Sequence, residues 1–459
     1  MSSRVFDAIV IGAGQAGPPL AGRLTAAGMK VALIERHLVG GTCVNTGCMP
    51  TKTMVASAHA AHLARRAADY GVRIAGDVGV DLAAVRARAA AVTLDARSGV
   101  ESWLEAMEGL TFIRGQARFE GPDRLKVGDD SLTAPRIFIN VGGRAFVPDM
   151  PGVGDVPFLD NVSMLALEEM PSHLLVVGGS YIGLEFAQMY RRFGAEVTVV
   201  ERQPRLIGHE DEEISEAIRA MLEAEGIAIR TGADCIRLMM HDGGPAIGLD
   251  CADAPPEVSG SHVLLAVGRM PNTGDLGLEA AGVVTDARGY IQVDDALATK
   301  APGIWAMGDC NGRGAFTHTA YNDFEIIAAN LLDGEERGVS QRVPAYALYV
   351  DPPLGRVGMT EAEARKSGRP ILVARRPMTR VGRAIEKGET QGLMKLIVDA
   401  QTRKILGAAI LGTGGDEAIH GIVDMMSAGV TADQLKWAVP IHPTVSELIP
   451  TLARELKPA

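Results

Sequence analysis

The sequence contains no run of about 18 uncharged apolar residues, so no segment is suited to crossing a bilayer as a helix. It also lacks clustered lysines and arginines. Acidic residues outnumber basic ones 56 to 45, for a formal net charge of −11, whereas a nucleic-acid partner calls for a basic face. Cysteine is scarce and odd in number, five in 459 residues, which does not suit a secreted disulfide scaffold. With 47% apolar and 22% charged residues the chain is neither disordered nor fibrous. The apolar stretch Phe6–Ile11 follows a single arginine and runs directly into Gly12-Ala13-Gly14 with no cleavage site. It reads as a buried strand of a cytoplasmic protein rather than as a signal peptide. Glycine is abundant: 54 residues against 24 prolines, as tight turns and close backbone approaches in nucleotide-binding α/β proteins require.

One pattern occurs twice. A short apolar run, Asp7–Ile11, leads into Gly12-Ala13-Gly14-Gln15-Ala16-Gly17, a small-residue helix, a second run Lys30–Ile34, and Glu35. Later, Leu174–Val177 leads into Gly178-Gly179-Ser180-Tyr181-Ile182-Gly183, a helix, Glu196–Val200, and Glu201. Gly12 to Glu35 and Gly178 to Glu201 are both 23 residues apart. Two strand–glycine-turn–helix–strand–acid units with equal spacing predict two dinucleotide sites. The first glycine makes the turn, the second lets backbone approach a pyrophosphate, and the last lets helix pack on strand. The helix N-terminus then presents unpaired N–H groups to the phosphates. In the second unit Ser180 replaces the middle glycine and offers a hydroxyl to a phosphate. Glu35 and Glu201 are placed to accept from a ribose. A carboxylate at 201 suits a 2′-hydroxyl and favours NADH, although Arg202 and Arg205 follow closely and either offers a partner for a 2′-phosphate.

Further strands are expected at Arg136–Val141, before Gly142-Gly143-Arg144, at His262–Val267, before Gly268, and at Gly303–Met307, before Gly308-Asp309. From Tyr346 onward, runs at Leu354–Met359, Ile371–Ala374, Gly392–Val398 and Ile405–Leu411 predict an antiparallel sheet. Helices at Glu361–Lys366, Asp416–Ala428 and Thr431–Ala438 accompany it. The expected fold is therefore α/β, with two Rossmann-like dinucleotide-binding domains and a C-terminal α+β domain. The expected boundaries are 1–150 and 271–339 for a discontinuous first domain, 151–270 for the second and 340–459 for the third. The acidic run Glu210–Glu213 reads as a helix start.

Two of the five cysteines lie in Gly40-Gly41-Thr42-Cys43-Val44-Asn45-Thr46-Gly47-Cys48-Met49-Pro50-Thr51-Lys52. Zinc needs three or four clustered ligands, and no second pair lies nearby. On an ideal α-helix, positions five apart are separated by about 8.7 Å, beyond the roughly 7 Å that a disulfide spans. A Cys43–Cys48 bridge thus requires a distorted turn, which Gly47 and Pro50 can supply. Pro50 suits the first turn of a helix continuing through Thr51–Tyr70.

The Gly-Gly-Thr-Cys-x4-Cys-x-Pro-x-Lys string resembles the redox-active motif of the pyridine nucleotide–disulfide oxidoreductases, a family that includes dihydrolipoamide dehydrogenase, glutathione reductase and mercuric reductase. The resemblance extends over the whole chain. It takes in both dinucleotide units, Met307-Gly308-Asp309, and His442-Pro443-Thr444-Val445-Ser446-Glu447. It implies FAD in the first unit, NAD(P)H in the second, and a C-terminal dimerisation domain. Gly12, Gly14, Gly17, Glu35, Arg36, Gly41, Thr42, Lys52, Gly142 and Asp309 would contact FAD. Gly178, Ser180, Tyr181, Gly183, Glu201 and Gly268 would contact NAD(P)H. Cys48 would lie against the flavin as charge-transfer thiol and Cys43 would attack the substrate. Lys52 would pair with Glu185, Tyr181 would be the movable ring that nicotinamide displaces, and Asp309 would hold the ribityl–phosphate side. His442, oriented by Glu447, would reach Cys43 across the interface of a homodimer. Segment Ser446–Leu452 would then be buried by the partner rather than by its own core.

Phe316-Thr317-His318-Thr319-Ala320-Tyr321-Asn322-Asp323 and Met54–His62 are similar to the mercuric reductase-like branch, which includes copper-reducing flavoproteins of reactive-chlorine resistance. The chain ends Glu455-Leu456-Lys457-Pro458-Ala459 without the cysteine pair of mercuric reductases. Expected substrates are a small or lipoyl-carrier dithiol or disulfide, or a metal ion. The chain would act alone or as a dihydrolipoamide dehydrogenase-like subunit docked on a larger complex. Cys235, Cys251 and Cys310 lack a partner at motif spacing and read as packing residues. Of these, Cys310 follows Asp309 and so has a place near the flavin phosphates. His59 and His62, one helical turn apart, read as polar positions on a helix rather than as metal ligands.

Overall fold

A computed structural model describes residues 3–233, 236–241, 243–249 and 257–459. Cys235 and Cys251 lie outside the described residues. The fold is mixed α/β, and the chain divides into two compact units.

The first unit comprises the described residues of Met1–Thr53, Ala84–Phe146 and Gly268–Arg342. Its centre is a five-stranded, wholly parallel sheet in the order Ile304–Ala306, Ile137–Ile139, Ala8–Ile11, Val31–Glu35, Leu110–Arg114. Strand Ala8–Ile11 is buried at every position, as a central strand covered on both faces must be. Alternation sorts its side chains. Ala8 and Val10 join Leu20, Leu24 and Phe324 under the helices Gly17–Ala26 and Thr317–Ala328. Ile9 and Ile11 face the opposite core with Phe119, Leu125 and Leu132. That second core belongs to a small sheet of Ser3–Val5, Asp130–Thr133, Arg124–Val127 and Ala117–Gly121.

The second unit comprises the described residues of Met54–Ala83, Val147–Val267 and Val343–Ala459. It holds a parallel four-stranded sheet, in the order Ala228–Arg230, Glu196–Val200, His173–Val177, His262–Leu265. It also holds a six-stranded sheet built on Leu354–Gly358, Ile405–Leu411, Leu393–Asp399 and Ile371–Pro377, antiparallel as the sequence predicts. Helix 416–428 of the sequence reading is two pieces, Gly415–Ala418 and His420–Ser427. Helix Leu82–Glu105, which the sequence reading did not assign, spans 24 residues.

Candidate active site

The two glycine turns are built alike. Gly12 has φ +104 and Gly178 φ +114, a region that L side chains avoid. A Cβ on Gly12 would meet Asn140 O at 2.2 Å, and one on Gly178 would meet Ala266 O at 2.4 Å. Each last glycine packs helix on turn: a Cβ on Gly17 would lie 2.2 Å from Gly12 O, and one on Gly183 2.1 Å from Gly178 O. Each strand-end carboxylate bridges the turn to its own loop. Glu35 accepts from Ala13 N–H and His37 N–H, both at 2.8 Å. Glu201 accepts from Gly179 N–H at 2.6 Å and Gln203 N–H at 2.7 Å. Ser180 stands at the N-cap of helix Tyr181–Phe193 without making a side-chain cap bond. Arg36 is paired with Asp275 at 2.6 Å.

In the first unit Gly40 N–H donates to Ala13 O at 2.8 Å, and Gly41 sits against Gly14, where a Cβ would approach Gly14 Cα to 2.8 Å. The redox loop is thereby fastened to the first turn. Cys43 lies in helix Gly41–Thr46, which breaks at Gly47; Cys48 then begins helix Cys48–Arg65. The break is the distortion that two cysteines five apart require. Cys43 and Cys48 are thiols here, hydrogen-bonded to each other. Cys48 Sγ also contacts Thr317 Oγ1 at 3.3 Å. The Cys43 hydrogen bond, aided by Thr317 and by the Lys52 charge one turn along the helix, lowers the Cys48 pKa to about 6 against the opposing cost of burial. The same bond and burial push Cys43 upward. Cys48 is thus the more acidic thiol of the pair, which suits its place at a helix N-terminus.

Helix Leu82–Glu105 supports this loop. Arg97 reaches Asn45 Oδ1 at 3.4 Å, Asn45 ties back to Val39 O and Gly41 O, and Arg88 donates to Thr53 O at 2.7 Å. Thr317, Arg88 and Arg97 carried no assignment in the sequence reading. For Thr317 the signal was present, since it stands second in the string beginning at Phe316.

Asp309 occupies a 3-10 turn, Gly308–Asn311, beside Arg269 at 3.6 Å. Desolvation raises its pKa above the usual carboxylate value, and Arg269 offsets part of that. Buried Asp323 fixes the turn: it accepts from Gly308 N–H at 2.8 Å and Asn311 Nδ2 at 2.9 Å, and pairs with Arg342. Next to Asp309 lies a cavity of about 150 Å³ whose walls include Gly143, Arg269 and Tyr290. Gly142 has φ +63 and open space at its Cα. A glycine turn closed to side chains and a carboxylate at the strand end fit a dinucleotide. Cys310 takes no part. It is fully buried, its thiol donates to Met307 O at 3.3 Å, and burial pushes it up to about 12.

In the second unit Glu185 is buried and accepts from Tyr349 N–H at 3.1 Å. Gly268, in the first unit, has φ +134 and accepts from Phe146 N–H. His442 is exposed at the side chain, 81%, and its Nδ1 is 2.7 Å from Glu447 Oε2. Glu447 N–H donates to Thr444 Oγ1, whose hydroxyl donates to Ile441 O. The His442–Glu447 pair is thus preformed. Segment Ser446–Leu452 is not left for a partner to cover: Ile449 and Leu452 are 4% and 1% exposed, within the unit's own core. Just before His442, the apolar residues Trp437, Val439 and Ile441 are exposed.

His59 is committed to Asp351 at 2.6 Å, which raises its pKa, whereas burial lowers that of His62. The two are not one ligand set. The acidic run begins helix Glu212–Ala224, yet Glu210 and Asp211 do not serve as exposed complements to a dipole. They are buried against Arg356, and Lys395 joins Asp211, Glu213 and Glu361.

Residues 6–323 match the family model described as pyridine nucleotide-disulphide oxidoreductase, and residues 344–453 match that family's dimerisation domain. Among curated relatives, the probable pyridine nucleotide-disulfide oxidoreductase RclA of Escherichia coli (strain K12) is 36% identical over 96% of this chain and 97% of its own. Dihydrolipoyl dehydrogenase of Thermus scotoductus is 35% identical, covering 97% and 96%. Mercuric reductase of Bacillus cereus is 32% identical over 96% of this chain and 70% of its own. The solved structure of the HOCl-induced flavoprotein disulfide reductase RclA from Escherichia coli matches with a TM-score of 0.88 and 35% identity, covering 98% of this chain and 99% of that one.

Proposed function

Because the chain belongs to the pyridine nucleotide-disulphide oxidoreductase family, as a flavin-dependent enzyme of FAD and NAD(P)H, we propose that it is a disulfide reductase whose exit port is Cys43. Bound FAD supplies a two-electron carrier between nicotinamide and the Cys43–Cys48 disulfide. Gly12, Gly14, Gly17 and Glu35 with Asp309 hold it in this reading, and Gly178, Ser180, Gly183 and Glu201 hold NAD(P)H, with NADH preferred.

The observation that carries the reading is the Cys43–Cys48 pair set at the break between two helices, with Cys48 Sγ 3.3 Å from Thr317 Oγ1 and Cys48 the more acidic of the two thiols. His442, kept in place by Glu447, takes the Cys43 proton. Cys43 then attacks one sulfur of a substrate disulfide. A mixed disulfide forms and a substrate thiolate leaves with that proton. The Cys48 thiolate next attacks Cys43 Sγ, expels the second substrate half as a thiolate that takes a proton from water, and restores the Cys43–Cys48 disulfide for another two electrons. The partner in a homodimer provides His442, since the C-terminal segment is a dimerisation domain by family. The proposed division is the discontinuous flavin domain 1–150 and 271–339, NAD(P)H domain 151–270 and dimerisation domain 340–459, in a cytoplasmic enzyme.

A second reading is metal-ion reduction, favoured by likeness to RclA, one of whose structures is a Cu(II) complex, and to mercuric reductases. Steady-state NADH and NADPH oxidation with lipoamide, oxidised glutathione, Cu(II) and Hg(II) separates the two. Disulfide turnover that collapses in His442→Ala is the expected result. Turnover with metal ions alone, indifferent to His442, would overturn the first reading in favour of the second.

A further inference from the structure

Tyr181 opens helix Tyr181–Phe193, directly after the second glycine turn. Its hydroxyl is hydrogen-bonded to His209 Nε2, and the two rings stand 5.3 Å apart at 34°. Tyr346, from strand Ala345–Leu348, completes a three-ring group. It lies edge-on to Tyr181 at 5.6 Å and to His209 at 6.0 Å. A tyrosine hydroxyl is protonated at neutral pH, so it donates to the ring nitrogen of a neutral imidazole.

Both rings that hold Tyr181 are themselves held. The Tyr346 hydroxyl donates to Glu210 Oε1, and Glu210, 2% exposed, is paired with Arg356, 1% exposed. Arg356 also reaches Asp211 at 3.1 Å. Glu210 is the residue after His209, and its N–H donates to Ile207 O at 2.8 Å. One buried carboxylate therefore fixes Tyr346 through its hydroxyl and His209 through the chain. Breaking a buried ion pair is costly, so these two rings form a stationary seat.

We propose that His209 and Tyr346 are positioning residues that latch Tyr181 over the nicotinamide end of the dinucleotide site, so that a nicotinamide ring enters only when the Tyr181–His209 hydrogen bond opens. The proposal rests on the reading that residues 178–201 hold the dinucleotide and that nicotinamide displaces Tyr181. The latch taxes the nicotinamide end alone, because the adenosine end is received at the glycine turn and Glu201. A site that binds only in its open fraction shows an affinity reduced by that fraction. One neutral hydrogen bond corresponds to about a two- to tenfold effect.

The test is calorimetric titration of the purified holoenzyme with NAD+ and, separately, with ADP-ribose, which lacks the nicotinamide ring. His209→Ala is expected to tighten NAD+ about two- to tenfold and to leave ADP-ribose unchanged. His209→Gln, which keeps an acceptor, should return NAD+ affinity toward the original value. Tyr181→Phe, which also loses the hydrogen bond to Tyr346, should tighten NAD+ at least as much as His209→Ala does, and adding His209→Ala to it should change nothing further. Equal effects of His209→Ala on both ligands, or on neither, would refute the latch. If Tyr181→Phe and Tyr181→Ala both leave NAD+ unmoved, nicotinamide does not displace Tyr181 and the latch falls with that reading. Failure of the unsubstituted enzyme to bind ADP-ribose would remove the dinucleotide site itself.

Discussion

Thr317 illustrates what a motif cannot contain. It lies 269 residues from Cys48 yet contacts its sulfur at 3.3 Å, and it helps hold that thiol ionised. Cys43, Cys48 and Lys52 are legible because their spacing along one loop and helix is itself the chemistry. Thr317 reaches them only through the parallel sheet. The sign of its effect is fixed. A Cys48 pKa lowered to about 6 keeps the thiolate down to about pH 6, and protonation removes it below. Replacing Thr317 by Val deletes one donor to the charged form and should move that midpoint up by about one unit, the scale of a lost hydrogen bond to an ion partly exposed to water. Alkylation at Cys48 against pH, resolved by mass spectrometry in a Cys43→Ser background where the serine hydroxyl keeps a donor, measures it. An unmoved midpoint would mean that the hydroxyl at position 43 and Lys52 suffice.

Glu201 presents the opposite case, since the role proposed for it is read from 23 residues of local sequence. Its carboxylate already accepts from Gly179 and Gln203 N–H groups. Glu201→Ala would free both donors and remove the charge that repels a 2′-phosphate, with Arg202 adjacent. The ratio of kcat/KM for NADPH over NADH should rise about tenfold, or about 1.4 kcal/mol. A ratio that stays put would transfer specificity to other groups.

Among the elements, strand–turn–helix units were legible because hydrophobic runs and glycines lie side by side in the chain. The helix Leu82–Glu105 was not. Much of it is exposed, and its task, holding Asn45 and Thr53 through Arg97 and Arg88, leaves no periodic signature. The acidic run does start a helix, as read, but the burial of Glu210 and Asp211 was not legible, because Arg356 and Lys395 lie on strands more than a hundred residues away. Close helix–turn packing gives an element-scale prediction. Gly17→Ala sets a Cβ 2.2 Å from Gly12 O, so the helix Gly17–Ala26 or the turn must shift. The cost is about 1–3 kcal/mol, and the flavin-to-protein ratio after desalting should fall. Gly99→Ala is the matched control. That glycine sits inside helix Leu82–Glu105 with nothing within 4 Å, so the change should add about 0.5–1 kcal/mol of stability and leave flavin content alone. Equal loss of flavin in both would show that helix–turn contact is not what holds the cofactor.

At the scale of the molecule, the C-terminal segment has two faces with different fates. Ile449 and Leu452 close the core of the six-stranded sheet, while Trp437, Val439 and Ile441, just before His442, are 73%, 95% and 79% exposed. Apolar residues so exposed next to a preformed His442–Glu447 pair fit a surface covered by a second copy, in a segment matching a dimerisation domain. The sequence indicated the segment but not which half of it faces out, because both halves are apolar and only the sheet decides which is absorbed. If the partner supplies His442 to Cys43, a two-fold dimer makes each site from both chains. Cys43→Ser and His442→Ala dimers should each be inactive with a disulfide substrate. Unfolded and refolded together, or co-expressed, half of the dimers are mixed. In one of the two sites of each mixed dimer, an intact Cys43 meets an intact His442. Recovery of roughly a quarter of the unsubstituted activity is then expected. If both residues acted within one chain, mixing would restore nothing, since every chain carries one defect. Zero recovery, with mixed dimers verified by differential tags, would therefore place His442 in service of its own chain or of none.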